Sequence, residues 1–222
     1  MIDAAVHDRA ARSLGRAHDR IHRTAAALLD ARKAGGVLLD AGCGTGDLWR
    51  LVARNFSSCI GVDAVRYQGL PAEVGFRPAN LDGPLPLEDA SVDTAAAIEV
   101  IEHLENPRAF MRELARVTKP GGWIVVTTPN QLSALSLLCL ATKGSFAAFQ
   151  DADYPAHRTA LLEIDLRRIA AECGLDEVAV AYTQWGRLPL TPWHYPRPLA
   201  ALAPRLLSDN VALVGRRCAS RS

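Results

Sequence analysis

The apolar positions of this chain switch between two rhythms, and the switch points outline its elements. Short, nearly unbroken apolar runs recur at Val37-Leu38-Leu39, Cys59-Ile60-Gly61-Val62, Thr94-Ala95-Ala96-Ala97-Ile98 and Trp123 to Thr128. Such runs, lacking polar alternation, predict strands covered on both faces. Between them apolar residues fall at helical spacing, first at Leu48, Leu51 and Val52, then at Ala109, Phe110, Met111, Leu114 and Val117. Asn106-Pro107 supplies the second helix with an N-cap and a first-turn proline. Phe76 to Asp82 predicts a third strand and its exit, and Val178 to Tyr182 and Val211 to Val214 predict two later strands. Further helices are expected over Leu132–Leu140, from an N-cap at Thr159 to Gly174, and over Leu199–Leu207. Strands alternating with helices predict an α/β fold.

The ends follow other patterns. In residues 2 to 33, Ala5, Val6, Ala10, Leu14, Ala17, Ile21 and Ala25 fall on one helical face. Arg9, Arg12, Arg16, Arg20 and Arg23 make the other face basic, either simply solvated or directing an Arg toward an anionic substrate. Leu188 to Pro198 carries Pro189, Pro192, Pro196 and Pro198 around Trp193, His194 and Tyr195, which predicts a rigid loop.

One stretch carries a chemical message. Val37 to Leu48 reads V-L-L-D-A-G-C-G-T-G-D-L, a strand that breaks into Gly42, Gly44 and Gly46 before a helix starts. Open α/β sheets present backbone to a nucleotide-like ligand in this way, at the carboxyl ends of their strands. A dinucleotide fingerprint needs a third glycine where Asp47 stands, and a P-loop needs a Lys that is absent. Asp40 and Asp47 suit a ligand with a cationic, zwitterionic end rather than a pyrophosphate. Asp63 ends the second strand 17 residues past Gly46, near the interval at which an acid meets a ribose diol. One carboxylate accepts from two vicinal hydroxyls.

D-x-G-x-G-x-G of this form resembles motif I of the class I S-adenosylmethionine (SAM) methyltransferases. The run from Glu99 to Asn130, E-V-I-E-H-L-E-N-P-R-A-F-M-R-E-L-A-R-V-T-K-P-G-G-W-I-V-V-T-T-P-N, is similar to the middle of that fold, nearest the ubiquinone-biosynthesis O-methyltransferases. The resemblance covers roughly Val37 to Asn130. It implies a Rossmann-like three-layer sandwich with a mostly parallel seven-stranded sheet, order 3-2-1-4-5-7-6, the last strand antiparallel. It also implies one domain over 1–222, with 1–34 as a helical cap and 131–158 and 186–198 as substrate-side insertions. SAM is the implied cofactor, held by Asp40, Gly42, Gly44, Gly46, Asp63 and Ile98. The family's adenine-binding acid aligns on Asn80, a departure. Asn80 and Leu81 are therefore the expected adenine contacts, with Asp82 in reserve.

Glu99, Glu102 and His103 stand at i, i+3 and i+4, where one helical turn gives them a common face. With His157 they resemble the metal-binding set of the ubiquinone-type O-methyltransferases and of the small-RNA 3′-end 2′-O-methyltransferases. A divalent ion that binds a hydroxyl stabilises its alkoxide, and these ligands suit Mg, Mn or Zn. The same residues also fit a metal-free reading, with His103 as general base beside Glu99. A third reading gives them no chemical role.

Composition narrows the choice. At 222 residues with 49% hydrophobic and 22% charged, the chain is an ordinary globular sequence. A net charge of +1 and a pI near 7.7 give no electrostatic footprint for nucleic acid, which argues against RNA ribose methylation. Cys43, Cys59, Cys139, Cys173 and Cys218 form no C-x-x-C pair, which fits a reduced, cytoplasmic setting without a signal peptide. The apolar run Leu132 to Thr142 is too short to span a bilayer, leaving at most peripheral membrane contact. The expectation is O-methylation of a small or amphipathic acceptor. A non-catalytic SAM-binding module is the alternative from another class, and an NAD-dependent oxidoreductase is disfavoured by Asp47.

Overall fold

The computed structural model describes residue 15 and residues 17–219. Ala5, Val6, Arg9, Ala10, Arg12, Leu14 and Arg16 of the expected N-terminal helix face lie outside the described residues. The chain forms α1 (Asp19–Ala31), β1 (Val37–Ala41), α2 (Asp47–Val52), β2 (Ser58–Asp63), β3 (Val74–Pro78), β4 (Val92–Ala97) and α3 (Pro107–Val117). It continues through β5 (Thr118–Pro129), α4 (Ala134–Lys143), α5 (Glu163–Glu172), β6 (Leu175–Tyr182), α6 (Arg197–Leu202) and β7 (Asn210–Arg217).

The strands form one seven-stranded sheet in the order β3-β2-β1-β4-β5-β7-β6. β1 pairs in parallel with β2 and β4, while β7 runs antiparallel to both β5 and β6. The apolar runs are unbroken because both faces are covered. Leu39, Ala95, Ile124 and Leu213 join the core under α3 and α5, whereas their neighbours Leu38, Ala96, Val125 and Val214 join the core under α1 and α2. Successive residues of a strand point to opposite faces, so each pair feeds both layers. Burying Leu38 or Leu39 completely stabilises the fold by about 1.5–3 kcal/mol per side chain. Asp93 anchors the strand starts: it accepts from Val37 N at 2.8 Å and pairs with Lys119 Nζ at 2.8 Å.

Several expectations shift. Asn106 caps α3 as expected, its Oδ1 accepting from Ala109 N at 3.0 Å. Thr159 does not cap α5: its hydroxyl donates to Leu104 O, and α5 starts at Glu163 with Asp165 Oδ2 accepting from Leu162 N. The helix expected over Leu199–Leu207 is only α6, which ends at Leu202. Lys119-Pro120-Gly121-Gly122, which reads as a turn between α3 and the Trp123–Thr128 strand, is an irregularity within β5, where pairing with β4 jumps from Val92↔Thr118 to Thr94↔Trp123.

Candidate active site

The carboxyl ends of β1, β2 and β4 open into a cavity of about 570 Å³. Of the expected cofactor residues, Asp40, Gly42, Asp63, Asn80, Leu81 and Ile98 line it, while Gly44 and Gly46 form the turn behind. Gly42, Gly44 and Gly46 all take left-handed φ, at 81°, 49° and 78°. A Cβ on Gly44 would overlap the carbonyl of Gly15, whose oxygen accepts from Thr45 N at 3.1 Å. The turn is therefore closely covered by the backbone of Gly15.

Asp63 reaches back across this turn. Its Oδ2 accepts from Gly44 N at 3.0 Å and its Oδ1 from Val65 N at 3.4 Å. Burial raises its pKa, against the lowering effect of these backbone donors. Burial, together with the charges of Asp63 and Asp47, pushes Asp40 up to about 7. Asp47 itself pairs with Arg50 at 2.8 Å and accepts from Thr45 Oγ1. Asn80 Oδ1 accepts from Asp82 N at 3.1 Å, and Asp82 Oδ1 accepts from Glu105 N at 2.8 Å. Both side chains are thus partly committed to holding the loop.

At the far end of the cavity stand Glu102, His103 and His157. One ligand atom from each lies within 4.8 Å of the others. Ile101–His103 is a single 3-10 turn preceded by Glu99 at φ +53°, so the α-helical face expected for Glu99, Glu102 and His103 does not form. Glu99 is outside the group of three. Its Oε1 accepts from Thr127 Oγ1 at 2.8 Å and its Oε2 from Asn210 Nδ2 at 2.6 Å. Glu102 is fully buried; its oxygens form no hydrogen bond of good geometry among the described residues, although the nearby Thr128 hydroxyl acts to lower its pKa. Burial, then the nearby Glu99 charge, raises its pKa well above the usual carboxylate range.

Each imidazole is tethered through Nδ1, His103 to Ala156 O at 2.9 Å and His157 to Ala148 O at 2.5 Å. Donation from Nδ1–H selects the tautomer with its lone pair on Nε2, the arrangement usual for a ligating histidine. The rings meet edge to face at 4.7 Å. The connection across 54 positions is backbone: Arg158 N and Thr159 N both donate to Glu102 O. Glu102, His103 and His157 therefore fit a divalent cation by donor type and by the convergence of their ligand atoms.

The lining has one sign of charge. Among the described residues it contains Asp40, Asp47, Asp63, Asp82, Glu99, Glu102 and Asp153, and no Lys or Arg. Arg20 and Arg23, the described part of the basic N-terminal face, line a separate groove with Tyr182 and Arg197. No Arg of α1 thus faces an anionic ligand here. Sequence reasoning missed His18 and His22, which line the cavity from α1. His22 is buried, and its Nδ1 has no hydrogen-bond partner among the described residues. Its position beside Ile21 and Ala25 on the apolar stripe was the available signal.

Known proteins resemble this chain in sequence and in fold. A family model described as "Methyltransferase domain" matches residues 8–198. The chain is 38% identical over 119 residues to a probable S-adenosylmethionine-dependent methyltransferase of Mycolicibacterium smegmatis, covering 51% of this chain and 46% of that protein. It is 37% identical over 112 residues to a ubiquinone biosynthesis O-methyltransferase of Caulobacter sp., covering 45% and 44%. The chain thus matches about half the length of these curated relatives. Among solved structures, a SAM-dependent methyltransferase from Archaeoglobus fulgidus superposes with a TM-score of 0.62 at 18% identity, over 88% of this chain and 94% of that one. The 1,6-didemethyltoxoflavin-N1-methyltransferase of Burkholderia thailandensis, solved with S-adenosylhomocysteine, gives 0.60 at 16% identity, over 89% and 78%. The glycine turn, the acidic cavity and the family match together make the chain a member of the methyltransferase-domain family, a class I SAM-dependent methyltransferase.

Proposed function

We propose that this enzyme methylates a hydroxyl oxygen of a small or amphipathic acceptor, and that Glu102, His103 and His157 hold a divalent metal for that step. The observation that carries the reading is the convergence of the buried Glu102 carboxyl with His103 and His157, one ligand atom of each lying within 4.8 Å of the others. A buried charge without compensation costs several kcal/mol, so a site built this way is built for a cation. The ubiquinone biosynthesis O-methyltransferases among the relatives agree with oxygen as the acceptor atom.

SAM supplies a methyl on a sulfonium whose departure leaves a neutral thioether, and a divalent ion supplies acidification of a bound hydroxyl. The chain's residues do the rest. The Gly42–Gly46 turn presents backbone to the cofactor, and Asp40 with its acidic neighbours favours the cationic end. Asp63 accepts from the ribose diol while retaining Gly44 N. Asn80 and Leu81 meet the adenine edge, with Asp82 supporting their loop, and Ile98 packs beside the nucleoside. Glu99, held by Thr127 and Asn210, braces the turn carrying Glu102 and His103. In this reading it is a positioning residue rather than a ligand or base. The segment 152–157 forms the acceptor wall, with Tyr154 and Pro155 supplying apolar surface.

Charge favours a small acceptor over RNA. A cavity with seven carboxylates and no Lys or Arg among its described lining residues repels a phosphodiester chain. The test is turnover of catechol-type and simple alcohol acceptors after exhaustive chelation. Loss in EDTA with recovery on adding Mg, Mn or Zn is expected. Full activity in chelator would instead assign His103 as a metal-free general base.

A further inference from the structure

The basic face of α1 takes no part in the cavity, yet it does not simply face solvent. Together with the outer edge of the sheet it encloses a second space, of about 520 Å³. β6 is the last strand of the sheet, and its alternation sends Val178, Val180 and Tyr182 toward the core under α3 and α5. Ala179 and Ala181 point to the opposite face, the side of α1. Both are too small to fill the space beside the helix. A groove remains there, with Ala181 on one side and Ala27 and Leu28 of α1 on the other.

The groove and the cofactor cavity use different faces of one helix. His18, Ile21 and His22 line the cavity, whereas Arg20, Arg23, Thr24, Ala27 and Leu28 line the groove. This is the split that a period of 3.6 residues gives. The two spaces also differ in sign. The cavity lining is acidic, while Asp19 is the one acid among the described lining residues of the groove, and Arg23 already pairs with it at 2.6 Å.

Two cations are left over. Arg20 and Arg197, the latter from the start of α6, make no ion pair among the described residues. Arg20 is half-buried and fixed in place: its guanidinium lies 3.8 Å over the Trp185 ring, and Trp185 stacks on His194 at 3.9 Å. Its charge has given up part of its hydration for a ring but not for an anion. Two unpaired guanidiniums with a third nearby match a doubly charged oxyanion better than a single carboxylate, because each planar fork takes two oxygens. Ala27, Leu28 and Ala181 offer apolar surface to whatever the oxyanion is attached to.

We propose that the groove between α1 and β6 binds a phosphate monoester with an apolar body. Arg20 and Arg197 hold the phosphate, and Ala27, Leu28 and Ala181 pack on the body. The site stands apart from the proposed metal and acceptor, because it lies on the other face of α1 and needs neither.

The test is calorimetry of the full chain with phenyl phosphate. EDTA and saturating S-adenosylhomocysteine are present, so that neither a metal nor the cofactor end of the cavity can take the probe. One saturable site is expected, weakened by raising the salt. Inorganic phosphate lacks the body and benzoate lacks the second charge, so each should bind roughly tenfold more weakly or worse. R20Q/R197Q should weaken phenyl phosphate roughly tenfold or more. A27E sets an acid beside the groove from an exposed helix position and should weaken it by a similar factor. S-adenosylhomocysteine affinity should be unchanged in both variants, showing that they fold. Absence of saturable binding by wild type overturns the proposal, as does wild-type affinity in the variants. Inorganic phosphate binding as tightly as phenyl phosphate also overturns it, leaving a cationic patch with no place for the body.

Discussion

The two ends of the cavity are made differently. The end proposed for the cofactor centres on one unbroken stretch, residues 40–47, closed by Asp63 from the adjacent strand, with Asn80, Leu81 and Ile98 also in its lining. Its donors are backbone groups, and its side chains are tied down by local hydrogen bonds. The metal-fitting end is assembled across 54 positions, with Glu102 and His103 from a short turn after β4 and His157 from a loop that returns through Arg158 and Thr159. One end tolerates an empty cavity because its polar groups are satisfied. The other carries the fully buried carboxyl of Glu102, whose pKa burial and the Glu99 charge raise, and which the proposed cation would hold ionised.

Gly44→Val gives the sharpest break of that contrast. It asks valine to hold φ +49° and to displace the carbonyl of Gly15. SAM affinity measured by calorimetry should fall by roughly 100-fold or more. Donors on Glu102, His103 and His157 should be unaffected, so metal binding should persist in this variant. Wild-type SAM affinity here would remove the backbone account of the cofactor end.

Glu102→Gln should act on the other end with opposite signs on activity and stability. Turnover should drop by about 100-fold or more as the anionic ligand is lost. Thermal stability in chelator should rise relative to wild type as the pH is raised, since glutamine has no proton to lose at this buried site. The pH dependence follows from the raised pKa of Glu102. Its stabilising protonated form is fully present below the unfolded carboxylate pKa and is lost as pH rises through the folded one. The advantage of the variant should therefore vanish near pH 4 and grow on going alkaline. A variant less stable than wild type at pH 8 in chelator would mean that Glu102 has a partner after all.

How much of this was legible in the sequence follows the same divide. Strands β1, β2 and β4, the α3 cap at Asn106 and the glycine turn at 42–46 were readable because each depends on neighbours within a few positions, whereas the sheet order, which joins distant strands, came only with the family resemblance. The failures are non-local. Thr159 looked like a helix cap but is drawn to Leu104 O by the return of the loop, so α5 begins later. Glu99 looked like a ligand by spacing, yet Thr127 and Asn210 claim it from strands 28 and 111 positions away. His22 was hidden in an Ala-rich stripe, where only the packing of α1 reveals that it lines the cavity.

Asp63→Asn probes the cofactor end more gently. Asparagine retains an oxygen for Gly44 N, so the turn should stay folded, while the charge-assisted acceptor for the ribose diol is lost. SAM affinity should fall by roughly 30-fold with little change in melting temperature of the ligand-free protein. A fall no larger than twofold would take the diol away from Asp63.

The smallest expected effect is the most diagnostic of charge at the cofactor end. Asp40 has its pKa pushed up to about 7 by burial and by Asp63 and Asp47. In the ligand-free protein it binds a proton more tightly than in the unfolded chain. Its contribution to stability is thus greatest below pH 4 and is lost as pH rises through about 7. A cationic ligand reverses the preference by favouring the carboxylate, so SAM binding should release a proton when measured below neutrality. With a free-state pKa of about 7 and a much lower bound-state value, SAM affinity should strengthen roughly eightfold between pH 6 and 7.5. Asp40→Asn should flatten that dependence and abolish the proton release, read by calorimetry in two buffers of different ionisation enthalpy. A pH-independent wild type would mean that the cationic end of the cofactor lies away from Asp40, and that the acidity of this end of the cavity serves only to exclude anions.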